Sequence, residues 1–167
     1  MASLRHGGAD DDSYDTAQVC RGGHLITRYV EQYPRERQDF CSMCGEPTLM
    51  QCEHCSTPIK GHLRGAMPAM SEPPPPKFCH GCGSSYPWTE KALADANAMA
   101  DELDLTPEDR EALKVAVKDL VRETSLPLAG SRFKRIIAKA GPQAGGMFKE
   151  ILIGVLSNAA QKQMGLG

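Results

Sequence analysis

The stretch that decides the fold is Phe40-Cys-Ser-Met-Cys-Gly-Glu-Pro-Thr-Leu-Met-Gln-Cys-Glu-His-Cys55, which sets Cys41-x-x-Cys44 just ahead of Cys52-x-x-Cys55. A two-residue spacer lets a tight turn aim both sulfurs at one metal ion while backbone amides hydrogen-bond to them. Further along comes a third pair, Cys79-x-x-Cys82, and the seventh cysteine, Cys20, stands four residues before His24. Eight ligands in four pairs are the complement of two tetrahedral zinc ions. Seven cysteines would leave one over in a set of disulfides; with His24 as the eighth ligand none is left over.

Composition points the same way. A chain of 167 residues makes one domain or two small ones, and aromatics amount to only 5%. The cysteine-rich half has few large apolar residues, so its core needs a staple, and metal is the staple at hand. The start of the chain, with the acidic run Asp10-Asp11-Asp12, does not have the basic, apolar and small-residue order of a signal peptide. The expectation is a cytoplasmic protein, where reduced thiols favour zinc over disulfides. Ile151–Leu156, the longest apolar run, falls far short of the about 20 residues that span a bilayer. The formal charge of −2 becomes about −5 once the thiols are ionised and two Zn²⁺ are added, which argues against a generally basic nucleic-acid surface.

The fold class expected is a small metal-bound α+β protein: a double zinc ribbon of short strands and knuckles, followed by a helical segment of about four helices. Residues 1–16, rich in Asp, Gly and Ser, read as disordered. The ribbon module spans 17–88, with short β-prone runs at Ala17–Cys20, His24–Val30, Thr48–Met50 and Pro58–Ile59. Its Pro-rich insert, 66–77, contains Pro73–Pro76, a polyproline II spacer. The helical part covers 89–167. Thr89 is expected to cap the first helix, which carries Leu93, Ala96, Ala100 and Leu103. Thr106-Pro-Glu-Asp109 opens the second, with the stripe Leu113, Ala116, Val117, Leu120 and Val121, and Ser125-Leu-Pro127 ends it. The third opens near Ser131 and ends at Gly141-Pro142. The last runs from about Ala144–Met147 to Met164 with a broad stripe of Phe148, Ile151, Leu152, Val155, Leu156 and Ala159.

Spacing leaves three ways to distribute four pairs over two ions. Phe40-Cys-x-x-Cys-Gly45 and Phe78-Cys-x-x-Cys-Gly83 repeat one unit, which suggests two related ribbon halves and favours a sequential order: Cys20, His24, Cys41 and Cys44 on one zinc, Cys52, Cys55, Cys79 and Cys82 on the other. Cross-braced and nested orders use the same eight residues. His24 is the least regular ligand, and His54, His62 and His80 are its substitutes. A thioredoxin-like use of the pairs would need a βαβ context that is missing.

Taken together, Cys20-Arg-Gly-Gly-His24, Phe40-Cys-Ser-Met-Cys-Gly45, Cys52-Glu-His-Cys55, Pro58-Ile-Lys-Gly61, Phe78-Cys-His-Gly-Cys-Gly83, Tyr86-Pro-Trp-Thr89 and Ser131-Arg-Phe-Lys-Arg135 resemble an uncharacterised family of short bacterial proteins with zinc-ribbon motifs. The resemblance implies a bacterial origin, zinc binding and a helical tail. It implies no activity.

Eight ligands for two ions fill both coordination shells, whereas a catalytic zinc keeps a position open. The chain also lacks a His-Glu-x-x-His motif, a glycine-rich phosphate loop and a His-x-Glu deaminase signature. The function expected is therefore a non-enzymatic zinc-binding adaptor that engages protein partners, with homo-oligomerisation or partner binding through Phe148, Ile151, Leu152, Val155 and Leu156. The plainer reading has the same stripe packing on the preceding helices. A second functional class is nucleic-acid binding through Arg132, Lys134, Arg135 and Lys139, with Phe133 stacking on a base, since the chain from Ser131 onward has six basic residues against one Glu. Helical spacing instead makes Phe133 a core residue and the cations a solvated face. A third is membrane-surface association through the last helix.

Overall fold

The computed structural model describes residues 13–67, 73–141 and 143–165, and the chain divides into two compact units, Met1–Tyr86 and Pro87–Gly167. Residues 1–12 of the expected disordered N-terminus, residues 68–72 of the Pro-rich insert and the expected helix stop at Pro142 lie outside the described residues.

The first unit is built from very short strands: β1 (Tyr14–Thr16), β2 (Gln18–Cys20), β3 (Leu25–Thr27), β4 (Thr48–Leu49) and β5 (Lys60–Leu63). They form a three-stranded antiparallel sheet in the order β3-β2-β4 and a two-stranded antiparallel sheet of β1 and β5. β2 is the central strand, with Val19 opposite both Leu25 and Leu49. Its residue Gln18 is buried and fully employed: the side-chain amide donates to Gln38 O and Thr48 Oγ1, both at 2.7 Å, and accepts from Gln38 N at 3.1 Å. A buried amide of this kind has to find partners, and in doing so it fixes the loop that leads into the first Cys-x-x-Cys turn. Ala17, Val19, Val30, Ile59 and Tyr86 are the larger part of the apolar interior besides the cysteines.

Residues 14–16, expected in the disordered N-terminus, instead form β1. Tyr14 pairs with Leu63 and Thr16 with Lys60. The composition of this segment gave no hint of a strand because what holds it is polar. Asp15 is buried and accepts from Arg64 Nε at 3.1 Å and from Gln32 Nε2, while Thr16 N donates to Glu31 Oε2 at 2.7 Å. Its partner β5 follows the expected run at Pro58–Ile59 and requires Gly61. A Cβ there would lie 2.3 Å from Arg28 O and 2.7 Å from Asp15 O.

The second unit holds five helices among the described residues: α1 (Pro87–Glu102), α2 (Pro107–Arg122), α3 (Leu126–Ala140), α4 (Ala144–Leu152) and α5 (Asn158–Met164). α2 packs on α1 and α3, α3 also meets α4 and α5, and α1 meets α4. Thr106 caps α2 as expected, its hydroxyl accepting from Asp109 N at 3.2 Å, and the stripe Leu113, Ala116, Val117, Leu120, Val121 is buried.

Three boundaries differ from the reading of the sequence. α1 begins at Pro87, so Thr89 lies inside it and is buried rather than capping it. α2 ends at Arg122 with Glu123 in the left-handed region, and Ser125-Leu-Pro127 starts α3 rather than closing α2. Proline is tolerated in the first turn of a helix, where its missing N–H is no loss, so the same residue serves as an opening signal. The long last helix is two helices. Gly154 weakens the helix at 153–157, and the Ser157 side chain accepts from Ala160 N at 3.2 Å, capping α5 afresh.

α3 and α5 approach closely at Gly130, where a Cβ would lie 2.6 Å from Gln163 O and 2.8 Å from Gln163 Cβ. Gly130→Ala is therefore expected to cost about 1–3 kcal/mol in chemical denaturation, as an overpacked contact does. Gly146→Ala, within α4 and with nothing inside 4 Å of the added carbon, is expected to gain up to about 1 kcal/mol in the same measurement.

Candidate metal centres

Each Cys-x-x-Cys turn is made the same way. The amide of the first cysteine donates to the carbonyl five residues on: Cys41 to Glu46, Cys52 to Thr57 and Cys79 to Ser84, all at 2.8 Å. The residue after the second cysteine donates back to the first: Gly45 to Cys41 O at 2.8 Å, Ser56 to Cys52 O at 2.9 Å and Gly83 to Cys79 O at 2.8 Å. An isolated bridge clamps each base, Phe40 with Pro47, Gln51 with Pro58 and Phe78 with Ser85. The two Phe-Cys-x-x-Cys-Gly units are thus two of three equivalent knuckles. The middle one escaped a sequence comparison because Gln51 replaces the phenylalanine and Ser56 the glycine. Cys20 and His24 close a related turn, with Cys20 N donating to His24 O at 3.0 Å and Gly23 N to Cys20 O at 2.9 Å.

The knuckles converge in two groups, Cys20, His24, Cys41 and Cys44, and Cys52, Cys55, Cys79 and Cys82, with the ligand atoms of each all within 4.8 Å of one another. This is the sequential order among the three that spacing allowed. In the first group His24 Nδ1 lies 3.4 Å from Cys20 Sγ, 3.3 Å from Cys44 Sγ and 3.6 Å from Cys41 Sγ, and Cys20 Sγ lies 3.7 Å from Cys44 Sγ. In the second, Cys52 and Cys82 sulfurs are 3.7 Å apart and those of Cys55 and Cys79 3.5 Å. Two sulfurs each about 2.3 Å from a tetrahedral zinc stand about 3.8 Å apart, and a sulfur and a nitrogen about 3.6 Å. Both donor sets therefore fit a four-coordinate ion. Each can hold a metal. His54 and His80 are exposed and belong to neither group, and His62 Nε2 is engaged with Ala66 O at 3.0 Å.

Groups beyond the eight ligands complete the sites, and the sequence reading missed them. Thr57 Oγ1 is 3.2 Å from Cys55 Sγ and Ser84 Oγ is 3.3 Å from Cys82 Sγ, each placed to donate to a thiolate. A hydroxyl two residues after the second cysteine was the available signal; the first knuckle has Glu46 there. The amides of His24 and Gly81 point at Cys20 Sγ and Cys79 Sγ at 3.2 and 3.3 Å. Gly81 is required by space, since a Cβ would lie 2.3 Å from Thr57 Oγ1.

These contacts divide the thiols. Burial pushes Cys20 and Cys52 up to about 11. Cys41, although burial opposes it, is brought down to about 6 by the amides of Met43 and Cys44. The Thr57 hydroxyl and amide bring Cys55 to about 6, and Ser84 acts in the same direction on Cys82. Each group thus sets a thiol that ionises readily beside one that resists ionisation, and a metal ion bound there would displace the proton of the second.

The remaining residues read as functional lie elsewhere. Phe148, Leu152, Val155 and Leu156 are buried and Ile151 is half-buried, so most of the apolar stripe packs inside the protein rather than standing open to a partner helix, a second copy or a membrane. Phe133 is buried too, against Phe148 in an edge-to-face contact with ring centroids 5.6 Å apart, and cannot stack on a base. Arg132 is half-buried, Lys134 and Arg135 are exposed, and Lys139 pairs with Asp109 at 2.7 Å.

The chain matches, over residues 13–164, the family described as uncharacterized protein conserved in bacteria (DUF2321). It belongs to that family. The match takes in both metal groups and all five helices. No curated protein and no solved structure matches the chain. No helix among the described residues is long and apolar enough to cross a membrane.

Ser56 does at φ +59° what Gly45 and Gly83 do at +75° and +74°. Left-handed backbone costs a non-glycine residue about 1 kcal/mol or more. Ser56→Gly is expected to stabilise the metal-loaded protein by about 1 kcal/mol, and Gly45→Ala or Gly83→Ala to destabilise it by a similar amount, read as shifts in the unfolding midpoint.

Proposed function

We propose that this protein is a non-enzymatic, cytoplasmic zinc-binding adaptor, in which two structural Zn²⁺ ions shape the first unit into a platform for a protein partner. The observation that carries the reading is that both metal groups supply four soft or borderline donors at tetrahedral spacing. Thiolate-rich sets of this kind select zinc among the common cytosolic divalent ions, and a filled shell leaves no position for water or substrate. Zinc closes each knuckle pair and stabilises the fold; it is not used as a Lewis acid. The platform's supports are Phe40 and Met43, 64% and 77% exposed at the first knuckle. Apolar side chains held out on a rigid turn are suited to insertion into a partner's pocket.

Native mass spectrometry of freshly purified protein is expected to show two zinc ions per chain. One ion or none would overturn the assignment. Cys41→Ser and Cys79→Ser should each lose the ion of their own group. The loss removes metal-linked folding energy on the order of 10 kcal/mol, so hydrogen exchange should show protection lost in the first unit. For the adaptor role, Met43→Glu should keep both ions and the unfolding midpoint yet abolish co-purification of a partner bound stoichiometrically to the wild-type chain. Equal recovery with both chains would sink the platform.

Zinc affinity should also rise with pH. Cys20 and Cys52 are protonated at neutral pH, so binding expels protons, and acidification adds competing protons at Cys41 and Cys55 as pH falls through about 6. Calorimetry in buffers of different ionisation enthalpy should count protons released on binding, with apparent affinity falling steadily below neutrality.

A further inference from the structure

The two groups differ in charge, which bears directly on their reaction with oxidants. With Zn²⁺ bound, three thiolates and a neutral imidazole leave the first group at a net −1, whereas four thiolates leave the second at −2. The sulfurs of the second are therefore less neutralised and more nucleophilic. A single hydroxyl contact on Cys55 and on Cys82 offsets only part of a full unit of charge.

Access and pairing add to the difference. In the second group Cys55 and Cys82 are exposed residues while Cys52 and Cys79 are buried, and each exposed cysteine has its sulfur beside that of a buried one from the other knuckle, Cys55 with Cys79 at 3.5 Å and Cys82 with Cys52 at 3.7 Å. Four sulfurs thus form two attacker-and-resolver pairs with none left over. The first group has a single exposed cysteine, Cys44, and three thiols can form only one disulfide.

Resting on the zinc reading above, we infer that the Cys52-Cys55-Cys79-Cys82 group is a peroxide-responsive site that releases its zinc on oxidation while the Cys20-His24-Cys41-Cys44 group keeps its own. The Cys55 thiolate attacks one oxygen of hydrogen peroxide, the O–O bond breaks, and a sulfenic acid and hydroxide result. Cys79 thiolate then displaces hydroxide from that sulfur to form the disulfide. Two thiolates are oxidised by two electrons, one peroxide is reduced, and two protons from solvent convert both hydroxides to water. Cys82 and Cys52 repeat the step with a second peroxide. Zn²⁺, having lost its donors, leaves. The resulting disulfides span 24 and 30 residues and hold the knuckles together in place of the metal.

The test uses the full chain loaded with zinc, titrated with hydrogen peroxide. Native mass spectrometry and a chromophoric chelator count the metal, and peptide mapping identifies the disulfides. One of two ions is expected to leave first, together with Cys55–Cys79 and Cys52–Cys82 linkages, and thiol reductant with added zinc should restore the second ion. His24→Cys gives the first group four thiolates without touching the second and should make both ions leave together. Release of both ions at one rate from the wild-type chain, loss of the first group's ion beforehand, or retention of both at peroxide levels that oxidise a free thiol would each overturn the inference. A chain that carries no zinc before peroxide is added would overturn the structural-zinc reading and this inference with it.

Discussion

Closure of each four-donor group around one point is the constraint on which the first unit depends. Its strands are two to four residues long, and strands so short do not hold each other without help from packing or metal. Its interior offers few large apolar side chains, and much of what it buries is sulfur: Cys20, Cys41, Cys52 and Cys79 are core residues as well as ligands. The hydrophobic effect alone has too little area to act on. The ligands' convergence supplies the missing long-range constraint, bringing residues 20 and 44 together, and 52 and 82.

Around that constraint the polar groups are arranged to be satisfied. Gln18 ties the central strand to the approach of the first knuckle, Asp15 with Arg64 and Gln32 pins the edge strand, and hydroxyls or amides reach most of the sulfurs. An isolated buried carboxylate such as Asp15 would be strongly unfavourable, so its partners and the position of β1 are fixed together. The second unit is held by other means. Its interior is largely apolar, Thr106 and Ser157 cap α2 and α5, and α3 meets α5 closely at Gly130.

The two metal groups share a scaffold but not a chemistry. One imidazole in place of one thiolate would change the net charge with zinc bound by a full unit, and the second group has two exposed cysteines where the first has one. Four donors apiece would fill the shell of one ion at each group, the coordination typical of structural zinc. Within that role the groups are open to different regulation, because nucleophilicity and access are set ligand by ligand.

Much of the site was legible in the sequence because a Cys-x-x-Cys turn is local: spacing alone aims two sulfurs at one point. The eight ligands, the cap at Thr106 and the stripe of α2 were all local patterns of this kind. What spacing left open was which pairs meet, since that depends on the path of the chain over 16 and 23 intervening residues. The sequence showed a broad apolar stripe in the last helix but not its destination. Only the tertiary structure buries Phe148, Leu152, Val155 and Leu156 among their neighbours and divides the helix at Gly154 and Ser157. Likewise β1 is a strand because Asp15 and Thr16 find Arg64, Gln32 and Glu31 far along the chain. Ligand chemistry and helix starts are written in neighbouring residues; pairings, burial and edge strands are decided by contacts between distant ones, whose free energy no local pattern contains.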